Sequence, residues 1–202
     1  MLKDFSEKSK IAYDKKAGSY DSSPEGRFTW RLHLLLVSEM EWRENDSVLD
    51  VACGNGSLLE YMDRQKPIRG FGADISGQMI KNAAAKNPAM EFHVSDCEAM
   101  PFQNGFMDLI TVCAAYHHFP DVAAFAGEAG RILKPGGAIY IADMFLPFFL
   151  RWPVNPFVPL SKAGDKRFYS PSEIINNFRR SGFEKMSVKL YGHIQILTMQ
   201  KK

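Results

Sequence analysis

The chain has 202 residues, of which 46% are hydrophobic and 24% charged, and its formal net charge at pH 7 is +2. This length and apolar content predict a single folded domain, residues 1–202, and exclude a disordered chain. The weak charge gives no support for a nucleic-acid partner. The three cysteines form no CxxC pair, so neither a disulfide framework nor a zinc site is indicated. The first ten residues lack the apolar core of a signal peptide, which predicts a cytoplasmic protein.

The N-terminal residues are polar but contain two tyrosines, Tyr13 and Tyr20, seven positions apart. In a helix this spacing places both rings on one face. Pro24 is expected to break the chain. Residues 28–40 then predict an amphipathic helix whose apolar side chains, Trp30 among them, pack on a sheet.

Residues 47–60, SVLDVACGNGSLLE, predict a buried strand that ends in an acid, a tight glycine turn and the start of a helix. Glycine at positions 54 and 56 lets the backbone bend sharply and lets a ligand come close. A dinucleotide loop would need a small residue where Leu59 stands, and a P-loop would need Gly-Lys-Ser/Thr. The Asp50 carboxylate would repel a phosphate but attract an ammonium group.

Two further predicted strands also end in acids. Asp74 closes a strand at 69–73 and lies 24 positions after Asp50, close to the spacing at which an acid meets ribose hydroxyls in nucleotide-binding folds. A helix follows, with Ser76 as its N-cap. A third strand, 91–94, leads to Asp96. Because ligands bind at the carboxyl edge of open α/β sheets, these three acids predict a shared site.

The segment DVACGNG resembles the first motif, E/D-x-G-x-G-x-G, of class I S-adenosylmethionine-dependent methyltransferases, and departs from it at Ala52. This variant is similar to the small-molecule enzymes of ubiquinone and menaquinone biosynthesis. GADISGQMI resembles the family's second motif, DCEAMPF the adenine-binding segment and RILKPGG a structural turn. The resemblance implies S-adenosylmethionine as cofactor and S-adenosylhomocysteine as product.

The resemblance also implies roles for individual residues. Asp50, Gly54 and Gly56 would hold the methionine end and Asp74 the ribose. Ile75 and Met79 would pack on the adenine ring, while Asp96 and Cys97 would bond to it. The full set expected to contact the cofactor is Tyr20, Asp50, Ala52, Gly54, Gly56, Asp74, Ile75, Met79, Asp96, Cys97, Glu98 and Ala114.

Residues 107–113 predict a central strand covered on both faces, which ends near two histidines. His117 and Tyr20 are the candidate catalytic residues, since an imidazole titrates near neutral pH. The alternative is a histidine that only shapes the pocket. We expect no metal site, because no neighbouring His, Asp or Glu completes a ligand set.

The remaining pattern predicts a turn at 134–137, a strand at 138–142, a helix at 171–180 and a closing hairpin of strands 184–190 and 193–200. A hairpin after five parallel strands matches the Rossmann-like methyltransferase fold. We therefore predict an α/β protein with a seven-stranded sheet of order 3-2-1-4-5-7-6, an antiparallel strand 7 and helices on both faces.

Residues 144–160 are rich in aromatic side chains, but four prolines exclude a membrane-spanning helix. In the resembled enzymes this position carries a substrate-covering insertion. Residues 144–170 are accordingly predicted to be a lid over a hydrophobic or aromatic acceptor, with 1–26 as an N-terminal cap. A dimer contact and a membrane-surface patch are the alternatives to the lid, and the oligomeric state is left open.

The predicted function is transfer of a methyl group to a small molecule by in-line displacement. The two alternatives are a nicotinamide-dependent oxidoreductase and a non-catalytic module that binds S-adenosylmethionine. Leu59 and the final hairpin disfavour the oxidoreductase. The histidines and the lid argue against a module without activity.

Overall fold

The structure is a computed structural model that describes residues 2–161 and 163–202. Seven helices and seven strands lie in these residues. The helices are α1 (Leu2–Lys16), α2 (Pro24–Ser38), α3 (Ser57–Gln65), α4 (Gly77–Lys86), α5 (Val122–Ile132), α6 (Phe148–Val154) and α7 (Pro171–Arg180). The strands are β1 (Ser47–Val51), β2 (Arg69–Asp74), β3 (Glu91–Val94), β4 (Met107–Cys113), β5 (Leu133–Met144), β6 (Phe183–Tyr191) and β7 (Ile194–Lys201). Short 3-10 helices occupy residues 20–22, 116–118 and 158–160.

All seven strands form one sheet in the order β3-β2-β1-β4-β5-β7-β6. Strands β1 to β5 pair in parallel, whereas β7 runs antiparallel to both β5 and β6. The predicted fold class is therefore confirmed. Because β1 and β4 lie in the middle and are buried along nearly their whole length, they are continuous apolar runs without alternation.

A separate apolar core lies on each face of the sheet. One contains Phe125 of α5 and Phe178 of α7, and both side chains are fully buried. The other contains Leu36 of α2 and Leu58 of α3, which are buried to the same extent. The parallel crossovers thus place helices on both faces, and the strand ends that carry the predicted acids remain at one edge.

The expected chain break at Pro24 is wrong. Pro24 is the first residue of α2, and the Ser23 hydroxyl caps the helix by accepting a hydrogen bond from Gly26 N at 3.0 Å. Proline fits there because the first helical N–H has no intrahelical partner. The face of α2 also differs from the prediction. Trp30 is 41% exposed, whereas Leu32 and Leu36 meet the sheet.

The predicted turn at 134–137 is wrong as a separate element, because β5 runs through it. Met107 pairs with Leu133, and the next pair along β4 joins Leu109 to Ala138. The four residues between the two pairs bulge out of the ladder, and Gly136 supplies the required positive φ of 76°. The backbone does turn at residues 134–137. They belong to β5 because the residues before and after them both pair with β4.

No helix in the described ranges is both long enough and apolar enough to cross a bilayer. Helix α6 has only seven residues and contains Pro153. The aromatic segment around it is unusually exposed. Phe148, Trp152 and Phe157 each expose more than two thirds of their side chains.

Candidate functional site

A cavity of about 390 Å³ lies at the carboxyl ends of β1, β2 and β4. Its size falls within the usual range for small-molecule sites. The sheet edge forms one wall, and side chains of α1 and α2 form the opposite wall. The predicted residues that line it are Tyr20, Asp50, Ala52, Gly54, Asp74, Ile75, Met79, Asp96, Cys97 and Ala114.

The two glycines of the loop after β1 have different surroundings. Gly54 lines the cavity with φ of +52°, and a Cβ placed there would meet no protein atom within 4 Å. Gly56 does not line the cavity. A Cβ at Gly56 would lie 3.1 Å from Ala83 Cβ and 3.2 Å from Phe92 Cζ. Gly54 therefore leaves room for a ligand, whereas Gly56 permits close packing between the start of α3 and its neighbours.

Two alanines of the cavity wall have left-handed backbones. Ala52 has φ of +59° and Ala114 has φ of +54°, at the ends of the neighbouring strands β1 and β4. For a residue with a Cβ this conformation costs about 1–2 kcal/mol. Ala52 occupies the first glycine position of the resembled motif, so the departure noted in the sequence carries backbone strain. Strain of this kind concentrates at ligand sites.

We expect Ala52→Gly to stabilise the protein, because glycine adopts positive φ without steric cost. The greater freedom of glycine in the unfolded chain offsets part of this gain, which leaves about 0.5–1 kcal/mol. Chemical denaturation with a fitted unfolding free energy measures the change. Ala73→Gly, in the regular part of β2, should destabilise instead. A loss of stability in Ala52→Gly would contradict the assigned strain.

Asp50 is 3% exposed and ends in the cavity wall. Its Oδ1 accepts a hydrogen bond from Thr111 Oγ1 at 2.7 Å. Burial raises the pKa of Asp50 to about 7, and the charge of Asp74 adds to the rise, although the Thr111 hydroxyl opposes it. The carboxylate therefore gains from any cation that enters the cavity.

Asp74 is also buried, and each of its oxygens accepts a backbone hydrogen bond. Gly54 N donates to Oδ2 at 2.9 Å and Ser76 N donates to Oδ1 at 2.8 Å. Burial nevertheless raises the pKa of Asp74. Since a carboxylate oxygen accepts two hydrogen bonds, Asp74 can hold the glycine loop and still receive ligand hydroxyls.

The loop after β3 contributes Asp96 and Cys97 to the cavity, but Glu98 points elsewhere. Glu98 Oε1 accepts a hydrogen bond from Asp121 N at 2.8 Å, just before α5. The position of Glu98 therefore does not support its predicted contact with the cofactor. Its side chain joins two loops at the sheet edge instead.

The N-terminal segment is fastened to the glycine loop. The Asn55 side chain, in the middle of that loop, donates to Ala17 O at 3.2 Å and to Asp21 Oδ1 at 3.1 Å. Asp14 accepts from Ser76 Oγ at 2.6 Å, close to the start of α4. Helix α1 and residues 17–21 are therefore positioned by the same loops that form the site.

Tyr20 lines the cavity, and its hydroxyl lies 2.9 Å from Thr29 Oγ1. Burial raises the pKa of Tyr20 to about 12, so the phenol is neutral at pH 7. Tyr13 also lines the cavity, with its ring centre 5.9 Å from that of Tyr20. The predicted common helical face is wrong, because α1 ends at Lys16 and Tyr20 lies in the following 3-10 helix. The two rings nevertheless meet in the cavity wall, and both can contact a ligand without acting as bases.

The two histidines after β4 have different positions. His118 lines the cavity, whereas His117 lies behind it, with Nδ1 2.6 Å from Asp143 Oδ1. Burial lowers the pKa of His117, but the charge of Asp143 and its hydrogen bond outweigh this effect and raise the pKa overall. His117 is therefore not placed to be the predicted catalytic base.

Residues 144–160, the main part of the predicted lid, contribute nothing to the wall of this cavity. Phe148, Trp152 and Pro159 instead line a separate, shallower groove together with Phe5 of α1. The end of the predicted lid does approach the site, because Lys166 N donates to His117 O at 2.9 Å.

Sequence reasoning missed several cavity residues from α2. These are Thr29, Trp30 and His33. Burial lowers the pKa of His33 to about 4, so this imidazole is neutral at pH 7. The only available signal was the polar positions of an amphipathic helix, and these usually indicate a solvent-facing surface.

The comparisons with known proteins agree with this geometry. Residues 49–141 match the family model described as a methyltransferase domain. The demethylmenaquinone methyltransferase of Chlorobaculum parvum is 33% identical over 109 residues, which are 54% of this chain and 45% of that protein. The 2-methyl-6-phytyl-1,4-hydroquinone methyltransferase of Synechocystis is 36% identical over 100 residues, 48% of this chain and 31% of that protein. The matches thus span less than half of either relative.

Among solved structures, the geranyl diphosphate C-methyltransferase of Streptomyces coelicolor superimposes with a TM-score of 0.81. The superposition covers 98% of each chain at 11% identity. The Streptomyces enzyme was solved with Mg²⁺, geranyl diphosphate and S-adenosyl-L-homocysteine. This likeness shows a common fold.

The sheet order and the helices on both faces define a Rossmann-like fold. Residues 49–141 match the methyltransferase-domain family model, in agreement with the resemblance seen in the sequence.

Proposed function

We propose that this chain transfers a methyl group from S-adenosylmethionine to a small-molecule acceptor and releases S-adenosylhomocysteine. One observation carries the proposal. Asp50 and Asp74 are buried in the wall of one cavity, and their hydrogen-bond partners are a hydroxyl and backbone N–H groups. Buried carboxylates without a cationic partner favour a positively charged ligand.

The surrounding residues fit the other parts of that ligand. Asp74 lines the cavity and would accept hydrogen bonds from the ribose hydroxyls, and Ile75 and Met79 would offer an apolar surface to the adenine ring. Asp96 and Cys97 lie at the same edge. The open space at Gly54 lets the methionine end approach the backbone.

When bound, S-adenosylmethionine supplies a methyl group that its sulfonium already activates. The electron pair of the acceptor forms the new bond to carbon as the carbon–sulfur bond breaks. The protein then has to align the acceptor and exclude water, and alignment alone can contribute roughly 7–11 kcal/mol. Helix α1, with Tyr13 in the wall, covers the cavity and serves both purposes.

The geometry disfavours a nicotinamide cofactor. Its diphosphate would face the carboxylates of Asp50 and Asp74 in the cavity. In addition, Leu59 is completely buried where a dinucleotide loop needs a small residue for helix packing. A cofactor-binding module without activity predicts tight binding but no product.

The acceptor that we propose is a small apolar or aromatic molecule. The names of the two curated relatives, which act on a demethylmenaquinone and a phytyl hydroquinone, support this class. The wall formed by Tyr13, Tyr20, Trp30 and Phe119 is aromatic, which suits such a ring. We also retain a cytoplasmic location and the absence of a nucleic-acid partner as predictions.

Calorimetry tests the cofactor. We expect binding of S-adenosylmethionine and S-adenosylhomocysteine, and no heat with NADH. Asp74→Ala should weaken binding by about tenfold, since it leaves the buried N–H groups of Gly54 and Ser76 without their acceptor. Asp63→Ala, outside the cavity, is the control. Heat with NADH alone would reject the proposal, and tight binding without methylated product from a quinol panel would favour the non-catalytic module.

A further inference from the structure

Two histidines and one aspartate from distant parts of the chain meet beside the cavity. His117 and His118 belong to the 3-10 helix after β4, and Asp165 belongs to the segment before α7. One ligand atom of each lies within 4.8 Å of the others. Asp165 Oδ1 is 3.0 Å from His118 Nδ1 and 3.6 Å from His117 Nε2. A tetrahedral zinc site has edges of about 3.4 Å, which lies between these two distances.

Each histidine has a partner on the side away from Asp165, and its second ring nitrogen is directed at Asp165. His117 Nδ1 is hydrogen-bonded to Asp143, which leaves Nε2 as the ring nitrogen directed at Asp165. Tyr13 donates its hydroxyl proton to Glu25 at 3.0 Å. Tyr13 Oη also lies 3.1 Å from His118 Nε2, so this ring nitrogen is engaged on the side away from Asp165. His118 Nδ1 is buried and faces Asp165 Oδ1 at 3.0 Å.

The segment that carries Asp165 is held on two sides. Ser9 Oγ of α1 donates to Ala163 O at 3.1 Å, and a Cβ at Gly164 would lie 2.4 Å from Ser9 Oγ. On the other side, Lys166 N donates to His117 O at 2.9 Å. These contacts fix the carboxylate opposite the two imidazoles before any ligand arrives.

Two imidazole nitrogens and a carboxylate that converge in this way can together ligate a cation placed between them. A proton can bridge only two of the three atoms, and 3.6 Å is too long for a good hydrogen bond. We propose that His117 Nε2, His118 Nδ1 and Asp165 form a site for a divalent transition cation of the Zn²⁺ type. Imidazole and carboxylate ligands suit this ion, and Asp143 acts as the carboxylate that orients a metal-bound histidine.

The sequence-based expectation that no Asp or Glu completes a ligand set with the histidines is wrong, because Asp165 lies beside both of them. The sequence shows only the adjacent histidines, and the third ligand comes from 47 positions further along the chain. Because His118 also lines the cavity, the fourth coordination position would open towards the proposed acceptor. A water molecule or an acceptor oxygen could occupy it.

Cobalt spectroscopy on the full chain, treated first with a chelator, tests the site. We expect one equivalent of Co²⁺ to produce visible absorption bands of a four- or five-coordinate ion, and Zn²⁺ to displace it. Asp143→Asn should weaken the affinity by about 10- to 100-fold, since it removes the partner of His117. Asp165→Asn should weaken it at least as much. His93→Gln is the control, because His93 and Glu91 form an exposed pair 2.5 Å apart that could bind ions adventitiously.

Melting curves of each variant, recorded without metal, establish whether it folds. If Asp165→Asn does not fold, thermal shifts decide: Zn²⁺ should raise the melting temperature of the wild type and of His93→Gln, but not of folded Asp143→Asn. No stoichiometric Co²⁺ binding, equal binding in the variants, or loss only in His93→Gln would overturn the proposal. The measurement uses no S-adenosylmethionine, so its failure leaves the proposed methyl transfer untouched.

Discussion

Gly54→Ala is expected to weaken S-adenosylmethionine binding by about a hundredfold, or ~2.7 kcal/mol. The added Cβ would project into the cavity, where no protein atom lies within 4 Å and where the ligand would come closest to the backbone. The ligand has to shift away from the loop, and a displacement near 1 Å can have a cost of this size. Calorimetric titration measures the loss.

Gly105→Ala is the matched control for the backbone. Gly105 has φ of +61°, close to the +52° of Gly54, and a Cβ there would also meet no atom within 4 Å. Both variants should therefore lose a similar stability, about 1 kcal/mol. Only Gly54→Ala should lose affinity, because Gly105 lies outside the cavity wall. Equal losses of affinity in the two variants would assign the effect to stability alone.

Asp50→Asn is expected to stabilise the ligand-free protein at pH 8. The pKa of Asp50 is about 7 in the folded chain against an ordinary value of 3.8. Between these values the folded chain holds a proton that the unfolded chain has released. The contribution of protonated Asp50 to the free energy of unfolding is therefore fully present below pH 3.8. It falls as the pH rises and is lost above pH 7. The cost at pH 8 is roughly 2–4 kcal/mol, which asparagine avoids.

Denaturation at pH 5 and pH 8 measures this effect as a difference between variant and wild type. The gain should be small at pH 5 and large at pH 8. Asparagine can still accept the hydrogen bond from Thr111, so the comparison isolates the charge. A gain that does not depend on pH would contradict the raised pKa of Asp50.

Asp50→Asn should also weaken the binding of S-adenosylmethionine. The wild type should bind S-adenosylmethionine less well by about tenfold for each pH unit below 7, because Asp50 has to ionise to meet the ammonium group. Asp50→Asn should bind weakly at every pH in this range. The control ligand is 5′-methylthioadenosine, which lacks the ammonium group and should bind both proteins alike. Equal weakening for both ligands would place Asp50 away from the methionine end.

The positions of Asp50, Asp74 and Asp96 could be predicted from the sequence for local reasons, whereas the strand order was implied by the resemblance to the methyltransferase family. Each of these acids lies at the carboxyl end of its own strand or in the loop directly after it. Parallel strands bring their carboxyl ends to one edge, so local position was enough to place the acids together. The predicted cap of α4 at Ser76 succeeded for the same reason, since capping depends on the next three residues.

Contacts between residues far apart in the chain could not be predicted from the sequence. Which of two adjacent histidines faces the cavity depends on the partner of each, and Asp143 draws His117 away from it. The face of α2 was misassigned because a helix that forms part of a cavity wall turns polar positions such as His33 inward. The aromatic segment near α6 had the composition of a lid, yet its placement depends on packing that composition does not encode.

The sequence by itself determined the strands, the glycine loop and the acids at the strand ends, because local pattern governs strands, turns and caps. Only the tertiary structure decided the pKa of Asp50, the different roles of Gly54 and Gly56, and the contact between His118 and Asp165. Burial, the space around a Cβ and the approach of residues far apart in the chain exist only once the chain is packed.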